Sequence, residues 1–288
     1  VVKEGSSAYK VGRTLEQKGL VKSALAFAVQ ERMSAYHGQI KAGTYLVSTA
    51  YTPTRILAVL SGKDSEEGSS VIVEERMKTY INSLDMGNTP FLQEVEARAL
   101  RDRVPIIRRD MQSFMRMLLA MNQPKRILEV GTAVGFSTLL MCEYGPEDLE
   151  IITIENYEKR IPVAKENFRR AGRESQITLL EGDAGEILKQ LTGTFDMIFM
   201  DAAKGQYINW LPDVLRLLKT GGVLVSDNVL QEGDIIESHY LVERRNRTIY
   251  KRMREYLWQL THSPILRTSV LPLGDGAAVS IKTGEQVL

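Results

Sequence analysis

Cysteine is almost absent from this chain. Cys142 is the only one in 288 residues, which excludes an intrachain disulfide framework and a cysteine-rich zinc site and fits a reducing, cytoplasmic setting. Histidine numbers only three, which argues against an imidazole-rich metal centre. No apolar run reaches the ~18 residues that a membrane-spanning helix needs, and no signal peptide is visible. Neither sign of charge is in excess. Thirty-seven Lys and Arg face thirty-six Asp and Glu, for a formal net charge of +1, so the molecule as a whole does not advertise a polyanionic partner and any nucleic-acid surface must be local. No internal repeat is present, and the chain opens on Val1 rather than Met, so sequence upstream of it is expected. What remains is 43% hydrophobic and 25% charged, enough at this length to bury one full domain and something smaller.

The polar stretch Gly62 to Ser70 divides the chain. Residues 63–70 read as a linker, residues 1–62 as a small α+β module and residues 71–288 as the larger domain. In the module, Thr14 to Gly19 and Ser23 to Met33 read as helices, the second carrying Leu25, Phe27 and Val29; Gly43 to Val47 alternates like a strand, and Thr54 to Leu60 reads as a last helix. Beyond the linker, Val71 to Leu84 has helical spacing, and Thr89-Pro90 offers an N-cap with proline in the first turn. From Arg126 the pattern becomes strand, turn, helix: Arg126–Val130, Leu149–Ile154, Gln176–Leu180, Phe195–Met200 and Gly222–Ser226 are apolar runs of strand length. This alternation predicts an α/β fold with a Rossmann-like, doubly wound, mainly parallel sheet. A long helix from about Ser238 to Leu260 follows. Ile265–Leu271 and Ala277–Lys282, joined through Gly274-Asp275-Gly276, then form an antiparallel hairpin that completes seven strands.

Chemistry concentrates at the predicted strand ends. Glu129-Val-Gly131-Thr-Ala-Val-Gly135-Phe-Ser137 follows the first strand. There, missing Cβ atoms let the backbone approach a ligand. The G-x-x-x-G spacing is not the G-x-G-x-x-G of a pyrophosphate binder. Glu155 ends the second strand, where an acidic residue accepts hydrogen bonds from ribose hydroxyls, and Asp183-Ala184 follow the third, near an adenine. Together these favour S-adenosylmethionine (SAM), with Glu129 and Ser137 near its amino-acid end; the alternative is a pair of packing glycines and a solvated strand end. Asp201 ends the fourth strand and Asp227-Asn228 the fifth. Two carboxylates and an amide suit Mg²⁺, with Mn²⁺ or Ca²⁺ as substitutes. Such a cation chelates two neighbouring substrate oxygens and acidifies a hydroxyl, while Lys204 serves as general base. Against this stands a reading of the two Asp as loop caps and of Lys204 as a surface lysine.

Val104-Pro-Ile-Ile107, the turn from Glu129 to Ser137, Glu155, Gly182-Asp-Ala184, Asp201-Ala-Ala-Lys204 and Gly221 to Asn228 resemble the cation-dependent O-methyltransferases of the catechol and caffeoyl-coenzyme A type. Within them the chain looks most like the bacterial branch that includes the tRNA 5-hydroxyuridine methyltransferase. The resemblance implies Asp201, Asp227 and Asn228 as metal ligands, with Asp201 also near the cofactor, Lys204 as base, Glu155 as ribose ligand, and a homodimer. Pro162 departs from the family and implies a late start for the helix beside the ribose. Val2 to Gly5, Leu15 to Ser23, Lys41 to Tyr45 and Ile56 to Gly62 resemble the LysM-like module of endolytic murein transglycosylases. That likeness raises two options for residues 1–62, peptidoglycan binding and a domain that only packs on its neighbour.

The acceptor turns on a basic run with six cations between Arg244 and Arg254. Arg244, Arg245, Arg247 and Lys251 are candidate RNA contacts. They favour 5-hydroxyuridine at the tRNA wobble position, whose carbonyl and hydroxyl form a chelating pair; a solvated helix face serving a small catechol-like or caffeoyl-CoA-like acceptor is the alternative. A cell-wall binding or scaffold protein acting through residues 1–62 is the reading from another class.

Overall fold

The computed structural model describes residues 1–49, 51–62, 75–236 and 247–285. They fall into two compact units, one of Val1–Ile72 with Gly233–Tyr250 and the other of Val73–Glu232 with Lys251–Leu288. In the first, helices α1 (Ala8–Gln17), α2 (Ala24–Met33) and α3 (Pro53–Ser61) each start at a hydroxyl. Ser7, Ser23 and Thr52 accept from the backbone N–H of Lys10, Ala26 and Arg55, satisfying donors that a helix start leaves open. The Ser7 cap explains why α1 begins well before Thr14. Val11, Leu15, Val21, Phe27, Ile56, Leu57 and Leu60 make this unit's core. Leu25 and Val29 point outward, leaving Phe27 as the buried one of the three. The strand expected over Gly43–Val47 does not form: Gly43 makes an isolated antiparallel bridge with Val2, and among the described residues no strand lies alongside to extend it. Tyr45 and Val47 pack instead against the helical core. The expected linker and residues 71–74 lie outside the described residues.

Three helices precede the sheet in the second unit, α4 (Glu75–Ser83), α5 (Pro90–Arg101) and α6 (Arg109–Asn122). Thr89 occupies the N-cap of α5 without a side-chain capping bond. Next come β1 (Arg126–Val130), α7 (Phe136–Tyr144), β2 (Glu150–Glu155), α8 (Ile161–Arg170), β3 (Ile177–Glu181), α9 (Ala184–Gln190) and β4 (Phe195–Met200). The chain ends with α10 (Tyr207–Leu217), β5 (Leu218–Ser226), α11 (Arg247–His262), β6 (Leu266–Leu271) and β7 (Ala277–Lys282). Pro162 sits in the first turn of α8, where its missing N–H costs nothing. The stretch before Arg247, where the long helix was expected to start, lies outside the described residues.

The seven strands lie in the order β3-β2-β1-β4-β5-β7-β6. Strands β1 to β5 run parallel, and β7 pairs antiparallel with both β5 and β6. After β1 the chain winds outward through β2 and β3, then returns to build β4 and β5 on the other side, so a crevice opens between the ends of β1 and β4. Register aligns Val130 with Met200 and Met200 with Ser226, which brings three strand ends level. Met111, Met115, Leu119, Ile127, Phe136, Leu140, Met197 and Phe199 are among the buried residues of the core beneath. Among the described residues no helix is long and apolar enough to cross a membrane.

The last strand also closes a helix. Lys282, 3% exposed, donates to the carbonyls of Leu215 and Leu218 at 3.0 and 2.9 Å, and pairs with Glu285 at 2.9 Å. Carbonyls at a helix end have no partner of their own, and Lys282 supplies one. Lys282→Met keeps the stem and removes the ammonium from both carbonyls, so urea unfolding is expected to show a loss of roughly 1–3 kcal/mol with an unchanged m-value.

Candidate active site

The crevice holds a cavity of about 550 Å³ whose lining includes Gly131, Glu155, Asp183, Ala184, Gln206 and Trp210, within the range of small-molecule sites. Gly131 takes φ +106, and a Cβ there would lie 2.1 Å from the carbonyl oxygen of Asp201. At Gly135, φ is +82 and a Cβ would lie 2.4 Å from the Phe168 ring. What the missing Cβ admits at both glycines is therefore protein, the β4 end and α8. Gly131 faces the cavity as well; Gly135 does not line it.

Glu129 does not line it either. Its carboxylate is fully buried and receives hydroxyl hydrogen bonds from Ser137 at 2.5 Å, from Thr153 at 2.6 Å and from Thr138. Burial pushes the Glu129 carboxyl up to about 7, against the pull of these three bonds. Its place is beneath the turn, tying the first residues of α7 to β1 and β2. Glu155 is on the cavity wall, where it accepts from the N–H of Ala133 at 2.7 Å, Asn156 at 3.0 Å and Tyr157 at 2.9 Å. A loop from each side is thus gathered onto one carboxylate, which keeps one lone-pair site free for a ligand hydroxyl. Asp183 caps α9 through the N–H of Glu186 and also faces the cavity.

Beyond the cavity, at the ends of β4 and β5, the three expected metal ligands come together. Asn228 Nδ2 donates to Asp201 Oδ1 at 2.9 Å, and the Asn228 N–H donates to Asp227 Oδ1 at 2.7 Å. Asn228 holds φ +60, a left-handed conformation that Asn tolerates better than most residues. Burial and the Asp201 charge push Asp227 up to about 7; burial raises Asp201 too, against the Asn228 hydrogen bond and the Lys204 charge. Two desolvated carboxyls, one of them raised further by the charge of the other, are a site short of positive charge, which is the condition that a divalent cation relieves. No group of three or more His, Cys, Asp or Glu arranged for a metal occurs among the described residues. The candidate donor set at the strand ends is two carboxylates and an amide, hard oxygen ligands of the kind Mg²⁺ takes.

Lys204 opens a single 3₁₀ turn, Lys204–Gln206, after β4. Its Nζ is 2.9 Å from Oδ2 of Asp275 in the β6–β7 loop. Nothing in the sequence pattern marked Asp275 beyond its place in a turn. Tyr207 was also missed. Fully buried, its hydroxyl contacts the carbonyls of Met200 and Asp227 at 3.1 and 3.3 Å and accepts from the Ala202 N–H, so one phenol ties the ends of β4 and β5 together. Desolvation holds that phenol well above its ordinary range. Its only sequence signal is an aromatic following Lys204 by three residues. Of the expected RNA contacts, Arg244 and Arg245 lie outside the described residues. Lys251 is exposed, Arg247 is partly covered, and Arg252 of the same basic run turns inward onto the Gly205 carbonyl at 3.0 Å.

Comparison with known proteins agrees with this architecture. The O-methyltransferase family profile matches residues 83–283, and the profile of the YceG-like family matches residues 1–121, under half of the chain. A catechol O-methyltransferase from Niastella koreensis is 39% identical over 130 residues, covering 44% of this chain and 59% of its own length. Caffeoyl-CoA O-methyltransferase 2 from Populus trichocarpa is 32% identical over 181 residues, 58% of this chain and 70% of its own. A crystal structure assigned as a caffeoyl-CoA O-methyltransferase from Staphylococcus aureus superposes with a TM-score of 0.67 at 32% identity, over 73% of this chain and 100% of that one. The SAH-bound methyltransferase of Podospora anserina gives 0.66 at 28% identity, over 72% and 94%. With the profile spanning more than half of the sequence and the switch-point crevice in place, the chain belongs to the O-methyltransferase family, the SAM-dependent enzymes that include catechol and caffeoyl-CoA O-methyltransferases.

Proposed function

We propose that this chain moves the methyl group of SAM to a hydroxyl that has a second oxygen donor beside it, on a small catechol-like acceptor, with a divalent cation held by Asp201, Asp227 and Asn228. The observation that carries the reading is the pair of desolvated carboxyls at adjacent strand ends, joined through Asn228, whose side-chain amide donates to Asp201 and whose backbone N–H donates to Asp227. SAM fits the crevice lined by Gly131, Glu155, Asp183 and Ala184. A bound cation supplies chelation of two neighbouring oxygens and lowers the pKa of a hydroxyl. Lys204 Nζ, as the neutral amine, takes the hydroxyl proton, the oxygen keeps the electron pair and bonds to the methyl carbon, and the carbon–sulfur pair passes to sulfur. Glu155 orients the ribose, and Tyr207 keeps the two metal-bearing strand ends at a fixed separation.

A tRNA acceptor bearing 5-hydroxyuridine offers the same pair of oxygens. What favours it is the outer face of α11, where Lys251 is exposed and Trp258, 61% exposed, stacks on His262 with ring centroids 4.5 Å apart; cation and aromatic together suit an unpaired nucleotide. We propose further that residues 1–62 form a module of their own and residues 63–70 a linker, since among the described residues the buried core of the module is drawn from positions 11 to 60. Its likeness to the LysM-like module suggests peptidoglycan as a ligand, to be tested by sedimentation of the full chain with purified sacculi.

Labelled SAM with Mg²⁺, offered catechol beside undermodified tRNA, is expected to label the catechol. Label in tRNA alone overturns the small-acceptor reading, and Lys251→Glu then reduces it. Cation binding is expected to depend on pH. The folded Asp227 carboxyl, raised from 3.8 to about 7, holds a proton that the unfolded chain has lost, so metal-free stability falls as pH rises from about 4 to about 7. Added cation competes for that proton. Titration calorimetry with Mn²⁺ is expected to give about tenfold higher affinity at pH 8 than at pH 6, and Asp227→Asn to flatten the dependence.

A further inference from the structure

Lys204 lies on a three-residue turn between β4 and α10, a segment too short to hold a long side chain by itself. Two residues from the C-terminal part of the chain hold it. Asp275, whose side chain is 4% exposed, meets Lys204 Nζ at 2.9 Å. Its loop is fixed on both sides. The carbonyls of Asp275 and Gly276 accept from the N–H groups of Leu230 and Val229 at 2.9 and 3.0 Å, and the N–H of Gly274 donates to Asp110 Oδ2 at 2.7 Å. The carboxylate is therefore anchored before it meets the lysine. Arg252, on α11, donates from Nη1 to the carbonyl of Gly205 at 3.0 Å and so holds the backbone of the same turn.

We propose that Asp275 and Arg252 are positioning residues for Lys204. Asp275 aims the amine at the acceptor hydroxyl and receives the ammonium formed when the proton arrives. Arg252 stops the turn from drifting away from the metal-bearing strand ends. The inference rests on the reading of Lys204 as the base. The arrangement has the logic of a base oriented by a buried carboxylate, in which the carboxylate takes no proton itself. A salt link on the surface would do little of this, since water screens it and the side chain stays mobile. Here the carboxylate is buried, and only the lysine is a third exposed.

A double-mutant cycle tests the assignment with Lys204→Ala, Asp275→Asn and the double variant, on the full chain with saturating SAM, Mg²⁺ and a catechol. Lys204→Ala is expected to reduce kcat by about 10² to 10⁴. Asp275→Asn is expected to lower kcat on the order of 10- to 100-fold, with the dissociation constant for SAM and the midpoint of thermal unfolding little changed. In the Lys204→Ala background the same substitution is expected to cost less than about twofold, because a residue acting through the lysine has nothing left to act on. Arg252→Met reaches the turn from the other side and is expected to show the same loss and the same non-additivity, which keeps the test open if Asp275→Asn does not fold. Full multiplication of the two losses, or wild-type kcat in both Asp275→Asn and Arg252→Met, overturns the inference and leaves Lys204 as base. Wild-type kcat in Lys204→Ala overturns the base assignment and the inference with it.

Discussion

Asp201 and Asp227 end neighbouring parallel strands whose register sets Met200 beside Ser226, so two like charges leave the sheet together, Asp227 buried and Asp201 half-buried. Such a pair is costly to keep ionised, and the surrounding groups answer that cost. The Asn228 amide bonds to Asp201, the Asn228 N–H bonds to Asp227, and the Lys204 charge favours ionisation of both. Among the described residues no full countercharge stands at the carboxyls themselves. A site left short of positive charge in this way suits a cation.

The same strand ends shape the cofactor side. Gly131 comes so close to the Asp201 carbonyl that no side chain fits between them, so the turn that opens the cavity and the strand end that carries the first candidate metal ligand form one piece of structure. Glu129 and Glu155 hold this turn from below and from the side, one through three hydroxyls and the other through three backbone N–H groups. The two acids differ in surroundings more than in chemistry: one is sealed in, and the other faces the cavity.

The hairpin at the C-terminus reaches furthest across the sequence. By pairing β7 against β5 it carries Asp275 to Lys204, seventy-one positions away, and Lys282 to the end of α10. Alternating strand and helix patterns made the sheet legible, because period and turn residues are local properties. Gly131, Glu155, Asp201 and Asp227-Asn228 were legible for a related reason: each sits at a place where a strand must end, and strand ends in a parallel sheet share one rim. Asp275 and Tyr207 were not, since their partners are the Lys204 amine and two strand-end carbonyls that only packing brings near. The Gly43–Val47 alternation misled because a strand needs a neighbour, which no local pattern guarantees.

By itself, then, the sequence determined the order of elements, the seven strands and the rim on which the cofactor turn and the candidate metal-ligand acids would stand, since hydrophobic period, glycine placement and strand termination act over a few residues. Tertiary structure alone decided which carboxylate is sealed under the turn and which faces a ligand, that Arg252 turns inward and not toward solvent, and that the lysine after β4 meets a buried aspartate. Burial and long-range pairing set those outcomes, and both depend on what the rest of the chain brings alongside.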